Sequence, residues 1–573
     1  MSAQPENLIA GPPPEEPAAP ARTRPGQRRL DLWTVVTLTV AVILALPVLV
    51  VFAHVFIPAT EVWLHLRETV LADYVVNSLI LMLGVGVGVL LLGVPAAWLV
   101  SLCDFPGRRA FEWALLLPLA VPAYIIAYTY TGLLDFAGPV QTQIRAWTGW
   151  GWGDYWFPQI RSLPGAIAML SLVLYPYVYL LSRAAFLEQS VCVLEVSRTL
   201  GVGPWGGFRR VALPLARPAV ITGLSLALME TLADYGTVEY FGIPTFTTGI
   251  FRTWFGLGDP AAAAQLAGVM MTFVLVLIVL ERYSRRRARF HHTSSRYSRL
   301  PRYRLNGWRR AGAVLVCVLP VALGFVIPAL QLGLWAMDTT DVWMHPEFLR
   351  LVWNSISLAG IAAVLAVVLA LVMAYGKRLR PSLPVNAAVR VAGMGYAIPG
   401  TVIAVGVILP FAWIDNTVDG FMREHFNVST GLILSGSLVA VIFAYCVRFL
   451  AVSLQTVEAA LTKIKPSMDD AARSLGMGPA MVLRRIHMPI MRGSLLTALL
   501  LVFVDVLKEL PATLILRPFN FNTLAVRAFE LASDERLADS ASAALAIVLA
   551  GIIPVILLSR TISRSRPGHD TPA

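Results

Sequence analysis

The chain has 573 residues, of which 57% are hydrophobic and 14% charged, and its mean hydropathy of +0.69 excludes a soluble protein of this length. Its formal net charge of +12 is carried in a few basic segments, and its four cysteines (Cys103, Cys192, Cys317, Cys446) and eight histidines are scattered. No CxxC pair or His/Cys cluster supports a disulfide framework or a structural metal site. The one adjacent pair, His291 and His292, falls in a basic linker, so no permanently bound metal is expected.

Residues 1–30 are rich in Pro, Glu and Arg without an apolar core, and read as a disordered cytoplasmic tail rather than a cleaved signal peptide. From there, apolar blocks long enough to cross ~30 Å of hydrocarbon as helices recur. They fall near 32–57, 74–101, 113–134, 163–186, 216–236, 262–281, 311–336, 353–376, 389–411, 431–453, 493–515 and 540–558. Pro and carboxylates interrupt the third and fifth span of each half.

Basic residues follow every even-numbered span. Arg108 and Arg109 follow the second, Arg198, Arg209, Arg210 and Arg217 the fourth, and eleven arginines with no acid fill 282–310 after the sixth. Lys377, Arg378 and Arg380 follow the eighth, and Lys463, Lys465, Arg473, Arg484 and Arg485 the tenth. The bias places both termini and the central linker in the cytoplasm of a multi-pass inner-membrane protein. It also accounts for the 282–310 stretch without nucleic acid as a partner; membrane lipid is the expected neighbour.

The second half repeats the first. Asn77-Ser78 returns as Asn354-Ser355, and Val121-Pro122-Ala123 as Ile398-Pro399-Gly400, both 277 residues on. At an offset of 275, Arg198-Thr199-Leu200-Gly201 meets Arg473-Ser474-Leu475-Gly476, Arg209-Arg210 meets Arg484-Arg485, and Pro214 meets Pro489. Six spans per copy is an even number, so the repeats run parallel about a pseudo-two-fold axis along the membrane normal. The expected organisation is an all-α integral membrane fold of about twelve helices: a tail (1–30), a first repeat (31–281), a linker (282–310), a second repeat (311–560) and a tail (561–573).

The loops after the fourth and tenth spans are the most informative. Glu195, Arg198, Gly201 and Pro214 in one copy match Asp470, Arg473, Gly476 and Pro489 in the other, with acid-to-Gly and Gly-to-Pro spacings conserved. Each predicts a short helix with an acid in its first turn, stopped by a left-handed Gly, then a second short helix ended before Pro. These loops resemble the EAA motif of binding-protein-dependent ABC importer permeases, although Val196-Ser197 replaces the usual Ala-Ala and Asp470 the usual Glu. The resemblance covers the chain beyond residue 30 and implies the type I importer permease fold, with each loop docking into a separate ATP-binding subunit. No GxxxxGK[ST] sequence is present, so this chain is expected to be a non-enzymatic pore subunit without cofactors of its own. ATP and Mg would be used by a partner, most simply an ATPase homodimer.

The fifth span of each half carries carboxylates, Glu230 and Asp234 in one and Asp505 and Glu509 in the other. Four residues apart, each pair would share one helix face and repel unless neutralised. Intramembrane acids point to a substrate path, a proton relay or buried pairing, here with Lys508; four carboxylates near the axis would suit a hard cation or equally tune a gate. The stretches Leu232 to Gly242 and Leu507 to Leu514 are similar to those of the ferric-iron subfamily, whose permeases are likewise fused. The resemblance implies ferric iron delivered by an extracytoplasmic binding protein, with residues 246–260 and 521–535 contacting that protein or capping the cavity. Thiamine permeases share the fused layout, and polyamines are a further alternative. An ion-coupled secondary transporter would also use paired repeats and buried acids, but gives the twin loops no role.

Overall fold

A computed structural model describes residues 32–58, 61–151, 153–188, 204–286 and 302–564. The N-terminal tail, most of the central linker, Cys192, and Glu195, Arg198 and Gly201 of the first docking loop lie outside these residues. The described residues are overwhelmingly helical; their one sheet is a parallel pair of two-residue strands, Cys103–Asp104 and Tyr303–Arg304. It ties the end of the linker to the loop after the second span.

Among the described residues, eleven helices are long and apolar enough to cross a bilayer. The first, second and fourth spans are Leu32–His54, Leu71–Leu102 and Leu163–Leu187; the fifth and sixth are Trp205–Ala233 and Pro260–Tyr283. The seventh to ninth are Trp308–Asp338, Pro346–Leu379 and Gly400–Phe426, and the tenth to twelfth Leu438–Thr462, Pro479–Leu507 and Leu537–Ile556. The third is a broken pair, Arg108–Ala120 and Ala123–Thr148, bent by 90°.

Proline causes that break. Val121 is extended (φ −99, ψ 117) because the ring of Pro122 disfavours helix before it, and Pro122 then caps the next helix. The second half does the same with Ile398 (φ −88, ψ 127) and Pro399. The ninth span runs well past its expected end at residue 411, to Phe426, where Asn427 turns left-handed (φ 54). Its last turns carry Asp415 and Asp419, which accept N–H groups from Leu434, Ser435, Thr430 and Gly431 and so hold the following loop off the helix ladder. The tenth span consequently begins at Leu438, later than the apolar pattern indicated.

The fifth and eleventh spans end abruptly. Helix stops at Ala233, with Asp234 extended (φ −66, ψ 130), and restarts as Gly236–Tyr240 and Phe246–Phe251. In the second half it stops at Leu507 and restarts as Pro511–Leu516 and Leu524–Ser533. The expected helix over 216–236 is therefore broken in its last turn, and that over 493–515 about two turns before its end.

The halves are interlocked. The first span packs on the eighth and ninth spans and on Leu383–Ala392, all of the second half. The contact is close: a methyl on Gly406 would run into the Pro47 carbonyl and one on Gly376 into the Thr37 hydroxyl, while Trp33 meets Tyr375 edge-on at 5.2 Å. The seventh span reciprocates. Leu323 O accepts from the Tyr130 hydroxyl at 2.7 Å, and Gly324 lies against the Leu172 carbonyl. The three described cysteines, Cys103, Cys317 and Cys446, are buried and unbridged.

Candidate functional site

Two places carry chemistry, one at the loop after the tenth span and one inside the bundle. The first is the second-half loop expected to dock a partner. Pro466–Ser474 is a helix with Pro at its start and Arg473 in its last turn, each where the helix ends favour it. Gly476 is left-handed (φ 77), its N–H bonds to Arg473 O at 2.9 Å, and the Met477 N–H reaches Ala472 O at 3.0 Å. That pairing satisfies the last carbonyls, as a left-handed cap does. Asp470 and Arg473 are exposed and pair at 3.4 Å, and Met468, Leu475 and Met481 stand exposed beside them.

The neighbour Asp469 does the holding. It is buried, accepts from Arg378 Nε at 2.8 Å, and lies 2.6 Å from His487 Nε2. Arg378 also donates to Leu461 O and Ile464 O, and the Tyr375 hydroxyl to Pro479 O. The network fastens the loop to the ends of the eighth and tenth spans. Sequence reading missed it because the repeat conceals it: 275 residues before Asp469 and His487 stand Leu194 and Ala212.

The expectation that a short helix ends before Pro214 and Pro489 is corrected. Leu483–His487 forms a π-turn that runs straight into Met488–Leu507, and Phe208–Ala212 runs likewise into Leu213–Ala233. A wider turn leaves room for the proline ring, whose missing N–H would otherwise break the ladder. Both prolines sit within continuous spans.

The second place is a cavity of about 130 Å³ between the halves. All four intramembrane acids line it, but not as two helix faces. Glu230 and Asp505 lie within helices, whereas Asp234 and Glu509 lie in the breaks and cap the short helices that follow. Asp234 accepts from Thr237 N (3.1 Å), Val238 N (3.2 Å) and Thr237 Oγ1 (3.0 Å). Glu509 accepts from Ala512 N (3.0 Å), Thr513 N (3.1 Å) and Thr513 Oγ1 (2.8 Å). Such caps give a buried carboxylate the donors that water would have supplied.

Two cations share the cavity. Lys508 Nζ lies 2.9 Å from Asp505, the pairing the sequence allowed. Arg448 was not foreseen, although a lone arginine within Ala444-Tyr445-Cys446-Val447-Arg448-Phe449-Leu450 was the signal available. It stands 3.8 Å from Glu230 and 3.8 Å from Glu509. The hydroxyls of Tyr177 and Tyr396 meet at 3.2 Å across the halves, and Tyr235 stacks on Phe251 at 3.8 Å. The acids therefore line one cavity without converging: among the described residues no three His, Cys, Asp or Glu side chains are grouped to hold a metal ion. Of residues 246–260, Phe246 to Phe251 are buried, and Phe255 and Leu257 are the exposed large apolar residues.

Comparison with known proteins agrees with this architecture. The model for the binding-protein-dependent transport system inner membrane component matches twice, over residues 89–290 and 350–566. The Fe(3+)-transport system permease protein FbpB 2 of Haemophilus influenzae is 26% identical over 93% of this chain and 99% of its own length. The molybdenum transport system permease protein ModB of Escherichia coli is 28% identical over 34% of this chain and 87% of its own length. A probable sulfate transport system permease protein, cysT of Chlorokybus atmophyticus, is 27% identical over 26% of this chain and 48% of its own. With the match extending over most of its length in two copies, the chain belongs to the family of binding-protein-dependent transport system inner membrane components, as a fused two-repeat permease.

Proposed function

We propose that this chain is the pore of an ATP-driven importer that carries ferric iron across the bacterial inner membrane, with both termini in the cytoplasm. The observation that carries the importer reading is the second docking loop: a capped helix fixed from beneath, presenting Asp470, Arg473 and three apolar side chains outward. That is the form of a contact through which a partner transmits movement. The partner would be a pair of ATP-binding subunits, one per repeat, which use ATP and Mg and supply the hydrolysis. Glu195, Arg198, Gly201 and Pro214 would serve the same contact in the first repeat. A solute-binding protein on the outer side would deliver the cargo.

Two observations support iron over the oxyanions named for the shorter matches. The relative matched end to end is named for Fe(3+). The cavity also sets four carboxyl groups against two cationic side chains, a balance that repels sulfate or molybdate and offers hard oxygen donors to a trivalent cation. Uptake of radiolabelled ferric iron, molybdate and sulfate by cells lacking the gene tests the reading. Complementation by wild type, and not by the double Gly201→Arg, Gly476→Arg variant, should restore iron uptake alone. Restoration of molybdate or sulfate instead would reject the cargo; no dependence of any uptake on the gene would direct the search to thiamine and polyamines.

A further inference from the structure

The acids of the cavity obey the repeat and its cations do not. Glu230 corresponds to Asp505 and Asp234 to Glu509, whereas the positions 275 residues before Arg448 and Lys508 hold Val173 and Ala233. Both cations thus come from the second half, and the two are held differently. Lys508 makes an ordinary close pair with Asp505.

Arg448 is 7% exposed, and its Nε and Nη1 have no hydrogen-bond partner. Its nearest carboxylates, Glu230 of the first half and Glu509 of the second, each stand 3.8 Å away. A guanidinium committed to a structural pair normally donates two parallel hydrogen bonds at roughly 2.8 Å. This one makes no close hydrogen-bonded pair: it lies 5.6 Å over the Phe449 ring and between two carboxylates on opposite sides of the interface. A buried charge without hydrogen bonds is costly to keep, and the first half does without one. The same cavity holds a second orphan, the buried Tyr124 hydroxyl, which also lacks a partner.

We propose that Arg448 is a resident counter-cation that keeps the place of the cargo cation: it neutralises Glu230 and Glu509 while the halves are together and yields them to a hard cation when the halves part. Tyr124 then supplies a further oxygen donor. The inference rests on a cationic cargo, and makes Arg448 a specificity-determining residue of the pathway. Cation affinity becomes a property of the open state, so cargo is not trapped between cycles.

Terbium(III), a hard trivalent probe sensitised by nearby aromatic rings, tests this on the full chain purified in detergent. Arg448→Gln should bind terbium on the order of tenfold tighter than wild type, because a unit charge leaves the site. Arg448→Val, which installs the first half's residue, should do the same, and Arg448→Lys should bind as wild type does. Adding Glu230→Gln should abolish the gain. Wild-type affinity in both neutral variants, or a gain that survives Glu230→Gln combined with Glu509→Gln, overturns the proposal. So does molybdate binding to wild type that Arg448→Gln removes, since Arg448 would then be an anion ligand. Iron uptake separates the two readings: tighter terbium binding in a strain whose iron uptake ignores the gene rejects only the cargo, while gene-dependent iron uptake with unchanged terbium binding rejects only the counter-cation.

Discussion

Asp469 and Asp470 are adjacent and have opposite surroundings. Asp469 is buried between Arg378 and His487, and Asp470 is exposed beside Arg473. Asp469→Asn weakens a buried charged pair and should cost the purified chain about 1–3 kcal/mol, seen as a lower melting temperature and faster proteolysis at the loop. Asp470→Asn should leave the melting temperature unchanged and weaken capture of the ATP-binding subunit. Equal melting temperatures for the two variants would contradict the assignment. Sequence alone pointed to Asp470, because repeat matching finds what the two copies share. Asp469, His487 and Arg448 exist in one copy only, so the repeat that marks the paired loops carries no sign of the residues that anchor one of them and line the cavity.

Breaks carry the information in the individual elements. The two acids of each pair were read as lying on one helix face, and the chain instead ends its helix between them. The spacing was legible; the break was not, because nothing in Leu232-Ala233-Asp234-Tyr235-Gly236 forbids one more turn. What decides it is the set of N–H groups waiting at Thr237 and Val238, and at Ala512 and Thr513, which a carboxylate satisfies better from outside the helix. Glu509→Ala should therefore cost about 1 kcal/mol or more as a lost cap, read from thermal unfolding in detergent, with Glu509→Gln retaining part of it. The left-handed Gly476 gives a sharper contrast. A Cβ there meets no neighbouring atom, yet the positive φ penalises any side chain, so Gly476→Ala should destabilise the loop by ~1–2 kcal/mol. Gly478→Ala, in equally open space at negative φ, should cost less, well under ~1 kcal/mol, as the next helix loses a favoured N-cap residue. Hydrogen exchange over Pro466–Ser474 distinguishes the pair.

The whole molecule is held by exchange. Span count and repeat were readable from apolar length and a constant offset, because both are one-dimensional signals. Which half each first span leans on was not, since a lipid-facing and a protein-facing helix carry nearly the same apolar composition. Gly406 makes the arrangement testable: Gly406→Leu, filling the notch that takes Pro47, should push the first span outward and abolish a disulfide engineered between it and the ninth span. An unchanged crosslink would refute the packing.

Because each half lends its first helix to the other, the peptide joint between them is not what keeps them together. An engineered protease site within residues 287–301, once cut, should leave two fragments that migrate as a single particle until detergent denatures the bundle. The covalent join then matters at birth rather than in service: it guarantees that each newly made half meets its own complement, and the finished permease could lose the tether and still turn over.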